Sequence, residues 1–566
     1  MKKKTNSITG FCVLALLMMA SVLPALAADF EVDGICYNVI SDNAVEVTSR
    51  DSVKYAGEVY IPATVVHNGT TYHVTRIGNS AFSSCKELTL VDIPEGVTVI
   101  GNNAFASCSL LENVDLPNSL VSIEDYGFYG CSSFTSFDVP RNLAEIGYQA
   151  IKGCRSLRYF TCSSLNQHFK AVDGVLYTKD MSELYIYPPA APETIFNVPS
   201  PVATIHEYCF SNCQNLVEVI FPETLRRIEM NIFRDCQGIK TAYIPDGVTH
   251  MGVTVFGGCI NLTNVHLPAG LDSLENSTFM SCKQLKEVTI PRNVKYIGSF
   301  VFYQSGVKTV HFEDGSCLET IGHDAFAQSD SLESLDMPNS VKTIEYQAFR
   351  DCPSLRFVHV SEGLTSLGTA VFAYCPLLAE GVLPGGVTTV WNAYANCPAL
   401  KKVKIGGKDS APGVTLIKNC GIVGCEQVEY LELGANVDSL EDDAIAEVYN
   451  LKVLISWATT PPRCNETWGS FFPSPNNMNA VLYVPRASLE AYRTAIEWKK
   501  FNTIVPIEDV GDVNGDGAIS IADVTALIDM LLSGEIERTP YCDINLDGSV
   551  TIADVTALID RLLGGM

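Results

Sequence analysis

What the chain lacks narrows its class. Basic residues are scarce: 38 Lys and Arg stand against 64 Asp and Glu, a formal charge of -26. Such a surface repels phosphate backbones, which excludes nucleic acid as the main partner. Charged residues of both signs make up only 18% of the sequence and hydrophobic ones 47%, which excludes an intrinsically disordered chain. Past the N-terminal stretch no 18 apolar residues run uninterrupted, so no membrane-spanning helix is expected. Catalytic signatures are missing too: there is no G-x-S-x-G elbow and no Gly-rich phosphate loop. His206-Glu207 is followed by Phe210 where a zinc helix needs its second histidine.

The N-terminus carries Lys2, Lys3 and Lys4, an apolar run from Phe11 to Leu23 and the small-residue site Ala25-Leu26-Ala27. This order reads as a secretory signal peptide over residues 1–27, and its apolar run is short for a span. Phe11 stands before Cys12 where a lipid anchor needs a small residue. Removing the leader takes three lysines and no acid, moving the formal charge from -26 to -29. The mature protein is expected to be secreted, extracellular or at the cell surface, with any attachment made through a partner.

The rest of the chain is dominated by a repeat. The unit from Cys85 to Cys108 reads Leu-x-x-Val-x-Ile-Pro, a turn, Val-x-x-Ile-Gly and an Ala-Phe-x-x-Cys corner over 23 residues. Fifteen corner residues recur: Phe82, Phe105, Phe128, Ile151, Phe210, Phe233, Phe256, Phe279, Phe302, Phe326, Phe349, Phe372, Tyr394, Ile422 and Ile445. Self-similarity at this period predicts a solenoid. Val91 and Ile93 flank outward Asp92 as a short strand requires, and Pro94, which cannot donate to a ladder, ends it. Two short strands and one helical turn fit the period, and rungs stacked at about 4.8 Å give an array on the order of 70 Å long.

Twenty cysteines in an exported chain would ordinarily suggest disulfides. Twelve of them hold one repeat position, where Ser305 and Ser329 substitute, so the position asks for a small buried side chain. Free packed thiols are the expectation. Cys209 and Cys213 likewise read as packing residues.

Residues 28–76 alternate as β-strands around turn signals such as Asn68-Gly69 and are expected to cap one end of the array. The solenoid should run over 77–448, with a hairpin insert at about 155–208 around Asp173-Gly174 and Lys179-Asp180. A second cap is expected over 449–508, where Ser488 is placed to cap a short helix bearing Leu489, Tyr492 and Ile496. The outward strand position carries Asp92, Asp115 and Asp138 on early rungs and Tyr243, His266, His311 and His359 later. These seven form a candidate ligand surface, beside the plainer reading of a solvated face.

The combination of AF-x-x-C, L-x-x-V-x-I-P and V-x-x-IG resembles the BspA-like leucine-rich repeat family of bacterial surface and secreted proteins, over about residues 30–508. The resemblance implies a leucine-rich repeat solenoid and a role in adhesion to host proteins and other cells without naming a ligand, and an unidentified host protein or glycan is the partner expected for the array.

The most specific chemistry lies at the C-terminus, where 512–523 reads DVNGDGAISIAD and 543–554 reads DINLDGSVTIAD. The first loop offers Asp512, Asn514 and Asp516, the carbonyl of Ala518, Ser520 and Asp523; the second offers Asp543, Asn545, Asp547, the carbonyl of Ser549, Thr551 and Asp554. Hard oxygen donors at positions 1, 3, 5, 7, 9 and 12 with Gly at 6 are what Ca²⁺ asks of a 12-residue loop, so two ions are expected. Position 12 is Asp where an EF-hand has Glu, and no convincing helix enters either loop. Each is followed by ADVTALIDxLL, which sets Val524, Leu527 and Leu531, and Val555, Leu558 and Leu562, on one helical face.

A duplicated loop with an exiting helix resembles the type I dockerin module, over about 509–566. That resemblance implies a cohesin-like partner, met through loop positions 10 and 11 and nearby helix residues. Here these are Ile521, Ala522, Ile528 and Asp529 in one half and Ile552, Ala553, Ile559 and Asp560 in the other. The familiar pattern has hydroxyl residues at 10 and 11, from which this chain departs. The near-identity of the halves implies a two-fold related surface.

Together these readings predict a repeat solenoid of short β-strands with helical turns, a β-rich N-terminal cap and a small α-helical calcium module. The function expected is non-catalytic interaction or adhesion with calcium-dependent tethering. An accessory role in an extracellular polysaccharide-degrading assembly is the alternative.

Overall fold

The computed structural model describes residues 28–50, 53–409, 413–441, 443–464, 480–534 and 539–564. The expected signal peptide lies outside these. The chain divides into two compact units, Met1–Pro192 and Glu193–Met566.

In the first unit, antiparallel strands Phe30–Val32, Ile35–Ser41 and Ala44–Thr48 lead into rungs. One face stacks Gly57–Tyr60, Leu88–Asp92 and Asn113–Asp115 in parallel; the other stacks Thr70–Ile77, Val99–Ile100, Ser122–Ile123 and Glu145–Ile146. The ladder therefore begins near residue 57, inside the segment expected to be a separate cap. Tyr55 supplies the missing corner aromatic, its ring 4.7 Å from that of Phe82 and its hydroxyl donating to the Thr48 carbonyl. The expected insert also narrows. Tyr159–Cys162 is a rung strand paired in parallel with Ser136–Val139. Beyond it the chain forms a three-stranded meander, Phe169–Val172, Val175–Thr178 and Glu183–Ile186, rather than a single hairpin. Two turn signals, at 173–174 and 179–180, make three strands.

The second unit opens with Ile195–Asn197 stacked on Glu218–Ile220, so the repeat has already resumed there. Its last continuous face runs Glu380–Leu383, Lys402–Ile405, Tyr430–Leu433, Val453–Ser456, Val481–Val484 and Thr503–Pro506, all parallel. The strand ladder outlives the corner motif, and most of the expected second cap consists of further rungs. Helix α1, Leu489–Thr494, is present, but Ser488 does not cap it: its hydroxyl donates to the Thr459 carbonyl instead. Tyr492 is buried against Trp498, whereas Ile496 is exposed, because the helix ends before reaching it.

The helical turn expected in each rung does not form. No described residue of the repeat is helical. The third side is a bent strip in which two residues of positive φ flank each corner aromatic, as Asn103 (56°) and Ser107 (62°) flank Phe105. The left-handed residues turn every second amide toward the next rung: Asn103, Phe105 and Ser107 donate to the carbonyls of Asp125, Gly127 and Tyr129. The corner rings stack inside, 4.9 Å and nearly coplanar for Phe82 on Phe105, and 4.9–5.6 Å from Phe210 through Tyr394. Each stacked ring adds offset π contact to its buried area. The thiol that follows is hydrogen-bonded as well as packed: Cys108 Sγ donates to the Phe82 carbonyl at 3.0 Å and Cys236 Sγ to that of Phe210 at 2.7 Å. No disulfide joins the cysteines of the described residues.

Candidate functional site

Each acidic loop feeds a helix, α2 (Ile521–Ser533) and α4 (Ile552–Gly564), with the one-turn helix α3 (Thr539–Cys542) before the second loop. The helices start where they do because Ser520 and Thr551 stand ready to cap them. Ser520 Oγ accepts from the Ala522 amide, and Asp523 reaches back to accept from the Ser520 amide at 2.8 Å; Asp554 does the same for Thr551. Asp at position 12 also closes the loop onto the helix, its other oxygen accepting from the Asn514 amide in the first loop. Val513, Val524, Leu527, Val555 and Leu558 form a small core between the halves.

The carboxylates at loop positions 1 and 12 turn inward, while Asn514, Asp516, Asn545 and Asp547 stay exposed. Asp512 accepts from the amides of Gly515 and Gly517, and Asp543 from those of Asp547 and Gly548. Gly517 and Gly548 have φ of 85° and 84°, the left-handed bend that aims those amides at position 1. Asp523 and Asp554 are fully buried, and Asp512 and Asp543 nearly so. No ion pair among the described residues involves them. Burial, with Asp554 and Asp547 close by, pushes the Asp543 carboxyl up to about 6. Among the described residues no three acidic, His or Cys side chains are already gathered as a metal site. The donor types nevertheless fit Ca²⁺: each loop supplies hard oxygens at the required spacing, and two of its carboxylates are buried with no ion pair among the described residues to offset them.

All eight residues implied as partner contacts are exposed. Ile521 is 73% exposed and Ile552 72%, large apolar side chains left in water at the start of each helix. Ala522, Ile528, Asp529, Ala553, Ile559 and Asp560 extend the two faces. Leu532 and Leu563, which sequence reasoning placed in neither face, are exposed at 81% and 63% and lengthen them.

The candidate ligand residues on the rungs fall into both units. In the first, Asp92 and Asp115 are direct cross-rung neighbours, and Asp138 stands opposite Thr161. In the second, Tyr243 and His266 stack with rings 4.4 Å apart, and His266 lies 3.4 Å from Asp246. His359 Nδ1 is 2.6 Å from Asp336 Oδ1, and His311 lines the same shallow cleft. Sequence reasoning missed Asp246 and Asp336, because partners one rung away become visible only with the register. Cys209 and Cys213 are both buried in the stack.

The family model described as BspA type leucine-rich repeat region matches residues 68–172, 203–317 and 319–452, more than half of the chain. The protein belongs to that family. Residues 510–563 match the Dockerin type I domain model, so a dockerin module follows the repeats. Among solved structures, a leucine-rich repeat protein from Bacteroides ovatus is similar at 26% identity, with 63% of this chain and 95% of that one covered and a TM-score of 0.42. A leucine-rich cell surface protein from Faecalibacterium prausnitzii is similar at 23%, covering 71% and 93%, with a TM-score of 0.39. A leucine-rich repeat protein from Eubacterium ventriosum is similar at 22%, covering 60% and 92%, with a TM-score of 0.44. No curated protein matches the chain. No helix among the described residues is long and apolar enough to cross a membrane.

Proposed function

We propose that this chain is an exported, non-catalytic interaction protein whose dockerin module, loaded with two calcium ions, tethers it to a cohesin-like domain while the rungs display a surface to a host protein or glycan. The observation that carries this reading is the buried acid of the two loops, Asp512 with Asp523 and Asp543 with Asp554, each at the root of a helix bearing exposed isoleucines. Calcium supplies the positive charge that such buried carboxylates need. The chain's own residues do the rest: Asp523 and Asp554 tie each loop to its helix N-terminus, and the shared core of Val524, Leu527, Val555 and Leu558 sets the two helices together. Ile521, Ile528, Ile552 and Ile559 then form an apolar surface that a partner can bury.

Capture by a panel of cohesin domains, with calcium and with chelator, tests this directly. Calcium-dependent capture that is lost in Ile521→Asp/Ile552→Asp supports it, and no capture in calcium would contradict it. For the rungs, parallel glycan and host-protein arrays identify the ligand. Joint replacement of Asp92, Asp115 and Asp138 should weaken any binding made through the first unit, and unchanged binding would remove those residues from the surface. The dockerin match also favours a second reading, an accessory component of a polysaccharide-degrading assembly. Capture by cohesins of scaffolds that carry polysaccharide-degrading enzymes distinguishes it.

A further inference from the structure

The two halves of the dockerin module are nearly the same sequence. Over 512–532 and 543–563, 15 of 21 aligned residues are identical and six differ. Three of those six differences, Ile544 for Val513, Leu546 for Gly515 and Arg561 for Met530, line one cavity of about 530 Å³ between the module and the last rungs.

Leu546 is the most telling. It holds φ of 56°, a left-handed conformation that a leucine tolerates poorly and that Gly515, at 78°, adopts freely in the first loop. Local preference would put glycine here as well. Instead the leucine side chain packs, with Tyr541, against a cluster made of Val453, Ile455, Tyr483 and Val505 of the rung strands together with Val510. A residue that breaks a local rule while filling a contact is kept for the contact. Other contacts agree. Tyr483 Oη donates to the Pro540 carbonyl at 3.0 Å across the junction, while Arg561 donates to the Val510 carbonyl within the module beside it. The Lys452 side chain lies over the second loop, so that a Cβ added at Gly548 would meet it at 2.9 Å; at Gly517 of the first loop the same position is open. The isoleucines at the helix starts remain exposed.

We infer that the face formed by Val453, Tyr483 and Val505 on the last rungs is a built-in seat for the dockerin module, and that the seat makes its two calcium loops unequal. The inequality rests on the proposal that both loops bind calcium. The second loop is braced by the solenoid and releases its ion slowly; the first stands free and exchanges. The seat also fixes the direction in which the exposed isoleucines face, which a pair of equal halves on a loose tether would not.

The test uses the full chain and the variant Leu546→Gly/Arg561→Met, which gives the second half the first half's residues and so stays compatible with a folded module. Hydrogen exchange at Val481–Val484 should be at least tenfold faster in the variant. Calcium release into a fast chelator should show two phases in the wild type, with Asp512→Ala removing the faster, and a single phase in the variant. Exchange equal within twofold in the two proteins would overturn the seat. Altered exchange with a single release phase in the wild type would keep the seat and overturn the inequality. If the wild type takes up no calcium, the calcium reading falls by itself, and the exchange comparison still decides the seat.

Discussion

Cys108 and Ser329 hold equivalent places and do the same thing: each donates to the carbonyl of the corner phenylalanine one rung back, Phe82 at 3.0 Å and Phe302 at 2.8 Å. The Cys/Ser alternation in the sequence showed that the site is small and buried. The acceptor, 26 or 27 residues away, could be seen only once the rungs were stacked. Burial pushes the thiols of Cys108 and Cys154 up to about 12 from the ordinary 9.0. Such thiols lose their protons later in the folded chain than in the unfolded one. Their contribution to stability is therefore whole below about pH 9 and is lost as pH rises toward about 12. Melting temperature is expected to be flat in thiol terms up to pH 9 and to fall steeply above it, and a thiol reagent at pH 8 should label exposed Cys317 before any stacked cysteine. A second residue-scale expectation concerns Thr254, a β-branched residue at φ 57° where most rungs place Asn, Ser, Gln or Asp. Phe300 is strained in the same way but is held by contacts with Tyr303 and His323, so Thr254 is the site to relieve. Thr254→Asn should stabilise by about 0.5–1 kcal/mol, read as a higher denaturant midpoint.

At the scale of the element, the rung was largely legible. Period-2 alternation with a closing proline placed the first strand, and the proline carbonyl then accepts from the amide three residues on, as Pro94 does from Val97. The corner was misread as helical because two left-handed residues at i and i+4 imitate helical spacing while nothing in residue type demands them; Ser, Asn, Gln, Tyr and Asp all appear there. The rung boundaries were misread because they were drawn from the corner motif, which Tyr55 replaces at one end and which is absent beyond Ile445. Phe256 tests the energetics of the corner stack. It is fully buried between Phe233 at 5.3 Å and Phe279 at 5.6 Å. Phe256→Ala should cost about 3–5 kcal/mol, mostly locally, since a repeat array couples each rung chiefly to its neighbours. Hydrogen exchange should accelerate over the rungs of Phe233 and Phe279 and change little near Tyr394.

At the scale of the whole molecule, the sequence separated repeats from calcium module because hard oxygen donors at fixed spacing are a local pattern. It did not reveal that the last rungs and the module touch, because that contact joins Tyr483 to Pro540 and Leu546 across sequence with no shared motif. The one available signal was Leu546 standing where its twin has Gly515. In the proposed function, calcium holds this module in its partner-ready form. The most direct measurement is calcium uptake by the full chain, by titration calorimetry and native mass, followed by helical circular dichroism on chelation. Two ions are expected, one lost in Asp512→Ala and one in Asp543→Ala, with α2 and α4 melting in chelator while the β signal of the rungs persists. Absence of calcium uptake, or helices indifferent to chelator, would contradict it.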